Sequence, residues 1–226
     1  MAQSKFVWLM DYDPFVTRLH HIYRALILAS PTPADFIATW KDKRKVRALL
    51  EKHYRGTDLL PRLQYVYKRF RVFLKPYHRW SIKRKRNGAG TTWLSNATYY
   101  QRIRTLWQEG RMQPLSGDLH GNQAFQGICA AARRLKATIR IVYLSNAEMY
   151  LPYSAGFKAN MKKVPWDAKS LLVRTVRHPK YPMRSDRWHY NVQPFGSDYL
   201  KRLGSGRYPK IYQMMRDFLR TPRSIR

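Results

Sequence analysis

Of the 13 acidic residues in this strongly basic chain, Asp11, Asp13, Asp118 and Glu148 stand at or just after the ends of its most strand-like segments. That placement matters, because ligands of open α/β sheets bind beyond the carboxyl ends of strands, where an acid can hold a ribose diol, bind a metal or move a proton. Asp118, Asn146 and Glu148 are therefore the candidate catalytic residues. Asp11 is the candidate ribose acid, and the turn containing Gly117, Gly121 and Asn122 is the candidate backbone cradle for a nucleotide-type cofactor. The competing reading is that Asp11 and Asp118 only cap the helices that follow them. His120 can be an acid–base partner of Asp118 or simply a solvated loop histidine. Other chemistries lack their patterns. No His-Glu-x-x-His or Cys/His spacing offers a metal site, neither Ser116 nor Ser145 lies in a Gly-x-Ser-x-Gly elbow, and no Gly-Lys-Ser/Thr follows Gly88 and Gly90. The single cysteine, Cys129, excludes an internal disulfide or a multi-thiolate zinc site and reads as packing.

The elements that must position these residues follow from periodicity. Residues 112–151 read as strand, helix and strand: a strand ending at Gly117-Asp118, a helix from near Asn122, and a second strand ending at Ser145-Asn146. Ile139, Ile141, Val142 and Leu144 make that second strand a nearly continuous apolar run, as expected where both faces are covered. Upstream, Phe6–Met10 reads as a buried strand ending at Asp11. A helix with Val16, Leu19, Ile22, Tyr23, Leu26 and Ile27 on one face follows, stopped by Ser30-Pro31-Thr32-Pro33. Thr32 or Thr39 is placed to cap short helices beyond it. Thr91 to Glu109 reads as helical with Leu106 and Trp107 inward, and Gly110 closes it. Glu148 to Met161 reads as an interrupted helix, Leu171–Val176 and Tyr190 to Gln193 as strands, and Tyr208 to Leu219 as a basic terminal helix. The expected architecture is one α/β domain over residues 1–226: a Rossmann-like, mostly parallel sheet of four to five strands with helices on both faces, a basic helical insertion at about 32–110 and a basic extension at about 199–226.

Charge sets the partner. The 226 residues carry 44 Lys and Arg, for a formal net charge of +31, while 44% are hydrophobic and 14% aromatic, enough for a packed core. A polyanion is the natural neutraliser of such a chain, which points to nucleic acid, with RNA or a ribonucleoprotein foremost. Residues 65–86 interleave Tyr65, Tyr67, Phe70, Phe73, Tyr77 and Trp80 with Lys68, Arg69, Arg71, Lys75 and Arg79, and end in the run Lys83, Arg84, Lys85, Arg86. Cations there can neutralise phosphates while rings stack on bases; alternatively the rings are core, since their spacing is also helical. No apolar run nears the ~20 residues of a membrane span. The opening MAQSKFVWLMDYD lacks the layout of a secretory signal, so a cytoplasmic location is expected. Charge alone would also permit binding to an anionic membrane surface, but no clear basic amphipathic helix adds to it.

The pieces FVWLMDYDPFVTRLHHIYRALI, PLSGDLHGNQAFQGI, IRIVYLSNAEMYL and FKANMKKVPWDAKSLLVRTV resemble an uncharacterised bacterial family of Leptospira and myxobacterial type. Its members are similar to S-adenosylmethionine-dependent methyltransferases. The resemblance covers residues 6–176 and is most specific at Tyr143-Leu144-Ser145-Asn146 with Glu148 and Tyr150. It implies a Rossmann-like fold and S-adenosylmethionine as the cofactor, if there is one. The methyltransferase pattern places a glycine-rich turn upstream of the strand ending in the ribose acid, and only five residues precede Phe6. The expectation is thus a domain that has lost cofactor-dependent catalysis and binds nucleic acid, unless Gly117–Gly121 substitutes for the turn or another chain supplies the first strand. The alternative is an active S-adenosylmethionine- or nucleotide-dependent transferase acting on nucleic acid.

Overall fold

The apolar runs of the sequence end at polar breaks, and the backbone follows them. In the computed structural model, which describes residues 4–176 and 189–215, the chain divides into two compact units, residues 1–116 and 117–226.

The first unit opens with strand β1 (Val7–Asp11) and helix α1 (Pro14–Ala29), whose first turn is capped by Asp13 accepting from Phe15 N. Thr32, not Thr39, caps α2 (Pro33–Lys41): its hydroxyl accepts from Asp35 N while the Asp35 carboxylate accepts from Thr32 N, a reciprocal capping box. Asp42 caps α3 (Lys43–Tyr54), and α4 (Leu59–Phe70) and α5 (Lys75–Lys83) follow. Asn87 and Gly88, both at positive φ (51° and 78°), then form the turn of a hairpin between β2 (Lys85–Arg86) and β3 (Ala89–Gly90). Two such residues give the twist a two-residue hairpin turn requires. Helix α6 (Ala97–Gln108) ends before Gly110, also at positive φ, and leads into β4 (Met112–Ser116).

β4 pairs with β1 in parallel, Asp11 opposite Ser116, so the helical segment is one long crossover between parallel neighbours. Its core joins Ile22 and Leu26 of α1 to Phe36, Trp40, Leu50, Leu63, Tyr100 and Trp107. Tyr hydroxyls fasten it: Tyr67 donates to Trp40 O (2.6 Å) and Tyr100 to Ser30 O (2.8 Å).

The second unit holds α7 (Ala124–Arg134), β5 (Ile141–Ser145), a short 3-10 turn (Ala147–Met149), α8 (Ala155–Lys162), β6 (Leu171–Val176) and β7 (His189–Pro194). A π-helical segment (Phe195–Leu200), α9 (Lys201–Ser205) and α10 (Ile211–Met214) complete the described part. β5 and β6 are parallel and β7 is antiparallel to β6.

The protein is thus mixed α/β with parallel pairing, but among the described residues its ladders contain two, two and three strands rather than four or five in one. Two expectations for 112–151 change. β4 finds its partner in β1 and β5 finds its own in β6. β5 is also covered on one face only, with Val142 and Leu144 buried and Ile141 and Tyr143 exposed, since an edge strand needs only one apolar face. Of the expected terminal helix from Tyr208 to Leu219, Ile211–Met214 is helical as α10, and residues 216–219 lie outside the described residues. Among the described residues no helix is long and apolar enough to cross a membrane.

Candidate functional site

The sequence-predicted residues fall into three environments. Asp11 lies in the first unit, at the carboxyl end of the parallel pair. Its carboxylate accepts from Asp13 N (2.8 Å), so it folds the turn that Asp13 then uses to cap α1, instead of capping the helix itself. Opposite it, the Ser116 hydroxyl donates to Thr17 Oγ1 (3.2 Å).

Asp118 makes the same kind of turn in the second unit. Its Oδ1 accepts from His120 N (2.8 Å) and its carbonyl from Gly121 N (3.1 Å), while α7 starts at Ala124 without a side-chain cap. Neither Asp11 nor Asp118 therefore caps the helix after it. The buried Asn160 of α8 ties the loop down, donating to Leu119 O (2.8 Å) and Gly121 O (2.7 Å). Gly156 is needed for that docking, because a Cβ there would lie 2.7 Å from His120 O. The His120 ring bonds the Ser154 hydroxyl through Nδ1 (2.7 Å), and its Nε2 is buried without a hydrogen-bond partner among the described residues. Asn122 is exposed beyond the loop. Asn146 follows a β-bulge in which Ser145 takes φ 51°, and its carbonyl accepts from Met149 N.

Glu148 has the most determined environment of the three candidate catalytic residues. Its buried carboxylate pairs with Arg174 Nε (2.6 Å), and its Oε1 accepts from the hydroxyls of Tyr153 (2.9 Å) and Tyr199 (3.1 Å). Arg174, fully buried in mid-β6, sends Nη1 to Asn191 Oδ1 (2.8 Å) and Gln193 Oε1 (2.7 Å) of β7. Gln193 in turn donates to Asp198, which pairs with Arg202. Burial, and then the Glu148 charge, drive the Tyr153 and Tyr199 hydroxyls up from their ordinary pKa, so both stay protonated donors. Both carboxylate oxygens are occupied, and Glu148 serves as the counter-ion of Arg174. The clue in the sequence was Arg174 within the apolar run Leu171–Val176, a charge that burial obliges to find an acid. Among the described residues no group of three His, Cys, Asp or Glu side chains could hold a metal.

The third environment is the basic insertion. From Asp58 to Glu109 the chain contains no acid between the two. Lys68, Arg69, Lys75, Arg79, Lys83, Arg84, Lys85 and Arg86 are exposed and Arg71 is half-buried. None of them is ion-paired among the described residues.

The rings divide. Tyr67 is core and Phe70 half-buried, while Tyr65, Phe73, Tyr77 and Trp80 are 55%, 74%, 44% and 49% exposed. Tyr65 and Phe70 both neighbour Phe15 of α1 (6.3 and 5.8 Å between centroids), and Phe73 lies 6.4 Å from Phe70. On α5, Tyr77 and Trp80 lie 6.2 Å apart, and the Arg84 guanidinium sits 5.1 Å over the indole.

A family model described as Domain of unknown function (DUF7790) matches residues 1–224. The chain belongs to that family. Comparison with curated proteins returned no match. Membership in the DUF7790 family covers both units, so the insertion and the Glu148–Arg174 network lie within one family domain.

Proposed function

We propose that this DUF7790 chain binds nucleic acid, RNA in the first place or a ribonucleoprotein, through α4, α5 and the β2–β3 hairpin, as a Rossmann-like domain that has lost cofactor-dependent catalysis. The observation that carries the reading is the acid-free stretch between Asp58 and Glu109, folded so that most of its cations are exposed, together with four exposed rings. Like charges brought together on one pair of helices repel, and phosphates relieve that repulsion while releasing counterions. The parallel pairs β1–β4 and β5–β6 support the Rossmann-like part.

The Gly117–Gly121 loop fits an S-adenosylmethionine cradle poorly. The amides of His120 and Gly121, which would face an anionic or polar ligand, are spent on Asp118, and two of the loop's carbonyls are held by Asn160. After β1 the chain enters α1 through Tyr12-Asp13-Pro14, without a glycine.

The test is the affinity of the purified chain for RNA and DNA as salt is raised. Log affinity should fall linearly with log salt concentration, by about 0.7 per single-strand phosphate neutralised and about 0.9 on duplex DNA, with little dependence on base sequence. Affinity that is flat from low to moderate salt would overturn the proposal.

A further inference from the structure

Resting on that reading, we infer that the ligand of this surface is unpaired nucleic acid, held by base stacking on the ladder that Tyr77 and Trp80 of α5 form with Arg84 just beyond it, while neighbouring cations hold the backbone. Tyr77 and Trp80, at i and i+3, share one stripe of α5, and Arg84, the extended residue just past its last turn, lays its guanidinium over Trp80. His78 and Ser81, on the adjoining stripe, are buried and anchor α5: His78 Nε2 meets the Tyr23 hydroxyl at 2.7 Å and the Ser81 hydroxyl meets Thr92 at 3.0 Å. The ladder therefore stands on a fixed base, and its two rings remain exposed.

The guanidinium over Trp80 shows what this stripe accepts. A planar cation already occupies the position over the indole where a nucleobase would lie. A base can take that place and release Arg84 to a phosphate, or extend the ladder beyond Tyr77. Lys83, Lys85 and Arg86 follow the ladder in the chain and are exposed.

Duplex offers this stripe no comparable contact. Its base faces are inside the stack, and an A-form helix presents a major groove too deep and narrow for side chains to read. The β2–β3 hairpin, with two residues per strand, is too short to enter a groove as a reading element. Stacking of this kind tolerates sequence, because every base has a π-face.

The experiment measures binding of the full chain to a labelled oligouridine of about 20 nucleotides, to a duplex RNA of equal length, and to phosphatidylserine vesicles, at matched salt. Oligouridine should bind more tightly than duplex. Trp80→Ala should weaken oligouridine binding about 5- to 100-fold, the range of one lost base–ring stack, and leave duplex affinity and the salt slope nearly unchanged. Trp80→Phe, which keeps a ring, should recover most of the loss, and unchanged circular dichroism excludes unfolding as the cause. Equal affinity for single strand and duplex, or equal losses on both in Trp80→Ala, overturns the inference while leaving the nucleic-acid reading intact. Binding to vesicles but to neither RNA overturns both.

Discussion

Glu148 and Arg174 illustrate how a residue that looks chemical from sequence is bound to a structural duty. A carboxylate with both oxygens occupied inside a fully buried ion pair costs several kcal/mol to desolvate, and it persists because tyrosine hydroxyls and amide oxygens complete its shell and that of its partner. Removing one partner strands the other. Glu148→Ala should therefore destabilise the second unit by about 3–5 kcal/mol, and Arg174→Met by a similar amount. The double variant Glu148→Leu/Arg174→Met should lose much less than the sum, because neither charge is left alone. Denaturant unfolding of the three variants checks this; additive losses would mean that the two residues do not act as a pair. Cys129 behaves as its sequence position suggests: it is fully buried, and burial raises its thiol pKa, which marks packing rather than reactivity.

The elements separate what periodicity records from what it does not. Patterns of apolar spacing record burial, and so β1, α1 and β6 stand within a few residues of where the sequence puts them, while α6 starts at Ala97, six residues after the expected Thr91, because Thr92 and Ser95 form a hydrogen-bonded turn before it. They do not record partners. Nothing in Met112–Ser116 says that its ladder partner is β1, a hundred residues earlier, because any strand could present the same face. The same limit hid the Arg174 network, whose members are dispersed over β6, β7 and the segments around them. Asn87-Gly88-Ala89-Gly90 reads from its sequence as a flexible turn, but strands of two residues carry no alternation from which to read a hairpin. Of the candidate interface, the cations were legible and the rings were not, since helical spacing suits core and stacking surface alike until burial distinguishes Tyr67 from Trp80. At this scale the run entering the hairpin has a measurable role. Neutralising Lys83, Arg84, Lys85 and Arg86 together should weaken binding to all sequences and make the salt slope shallower by up to about 4 units on duplex. Because all four side chains are exposed, stability should hardly change. A quadruple variant that unfolds, yet binds normally once refolded, would show the run to be structural.

For the molecule as a whole, positive charge is a property of both units. Residues 1–116 carry 23 Lys and Arg against 7 Asp and Glu, and residues 117–226 carry 21 against 6, so the excess is shared almost evenly between the two units. Every further proton adds to a self-repulsion already large. In the first unit this meets a buried titratable group. His78 is enclosed by the rings of Tyr23, Phe36 and Trp40, and burial depresses its pKa from 6.5 to about 4. His20 and His21 are lowered as well, chiefly by burial. Between these values the unfolded chain holds a proton at His78 that the folded chain refuses. Stability is therefore complete above about pH 6.5 and falls as pH drops towards 4, by roughly 3 kcal/mol from His78 alone. Denaturant unfolding from pH 8 to 4, followed by tryptophan fluorescence, should show this acid limb. Five of the seven tryptophans, Trp8, Trp40, Trp80, Trp93 and Trp107, report on the first unit. His78→Phe removes the titrating group, so its acid limb should be shallower even if its stability at pH 8 is lower through the loss of the Tyr23 bond. The two proteins differ in this one titrating group, which makes the difference between the two curves the contribution of His78. Parallel curves for the two proteins between pH 6.5 and 4 would mean that the imidazole accepts its proton without leaving the ring cage, and that this core is not the acid-sensitive part of the unit.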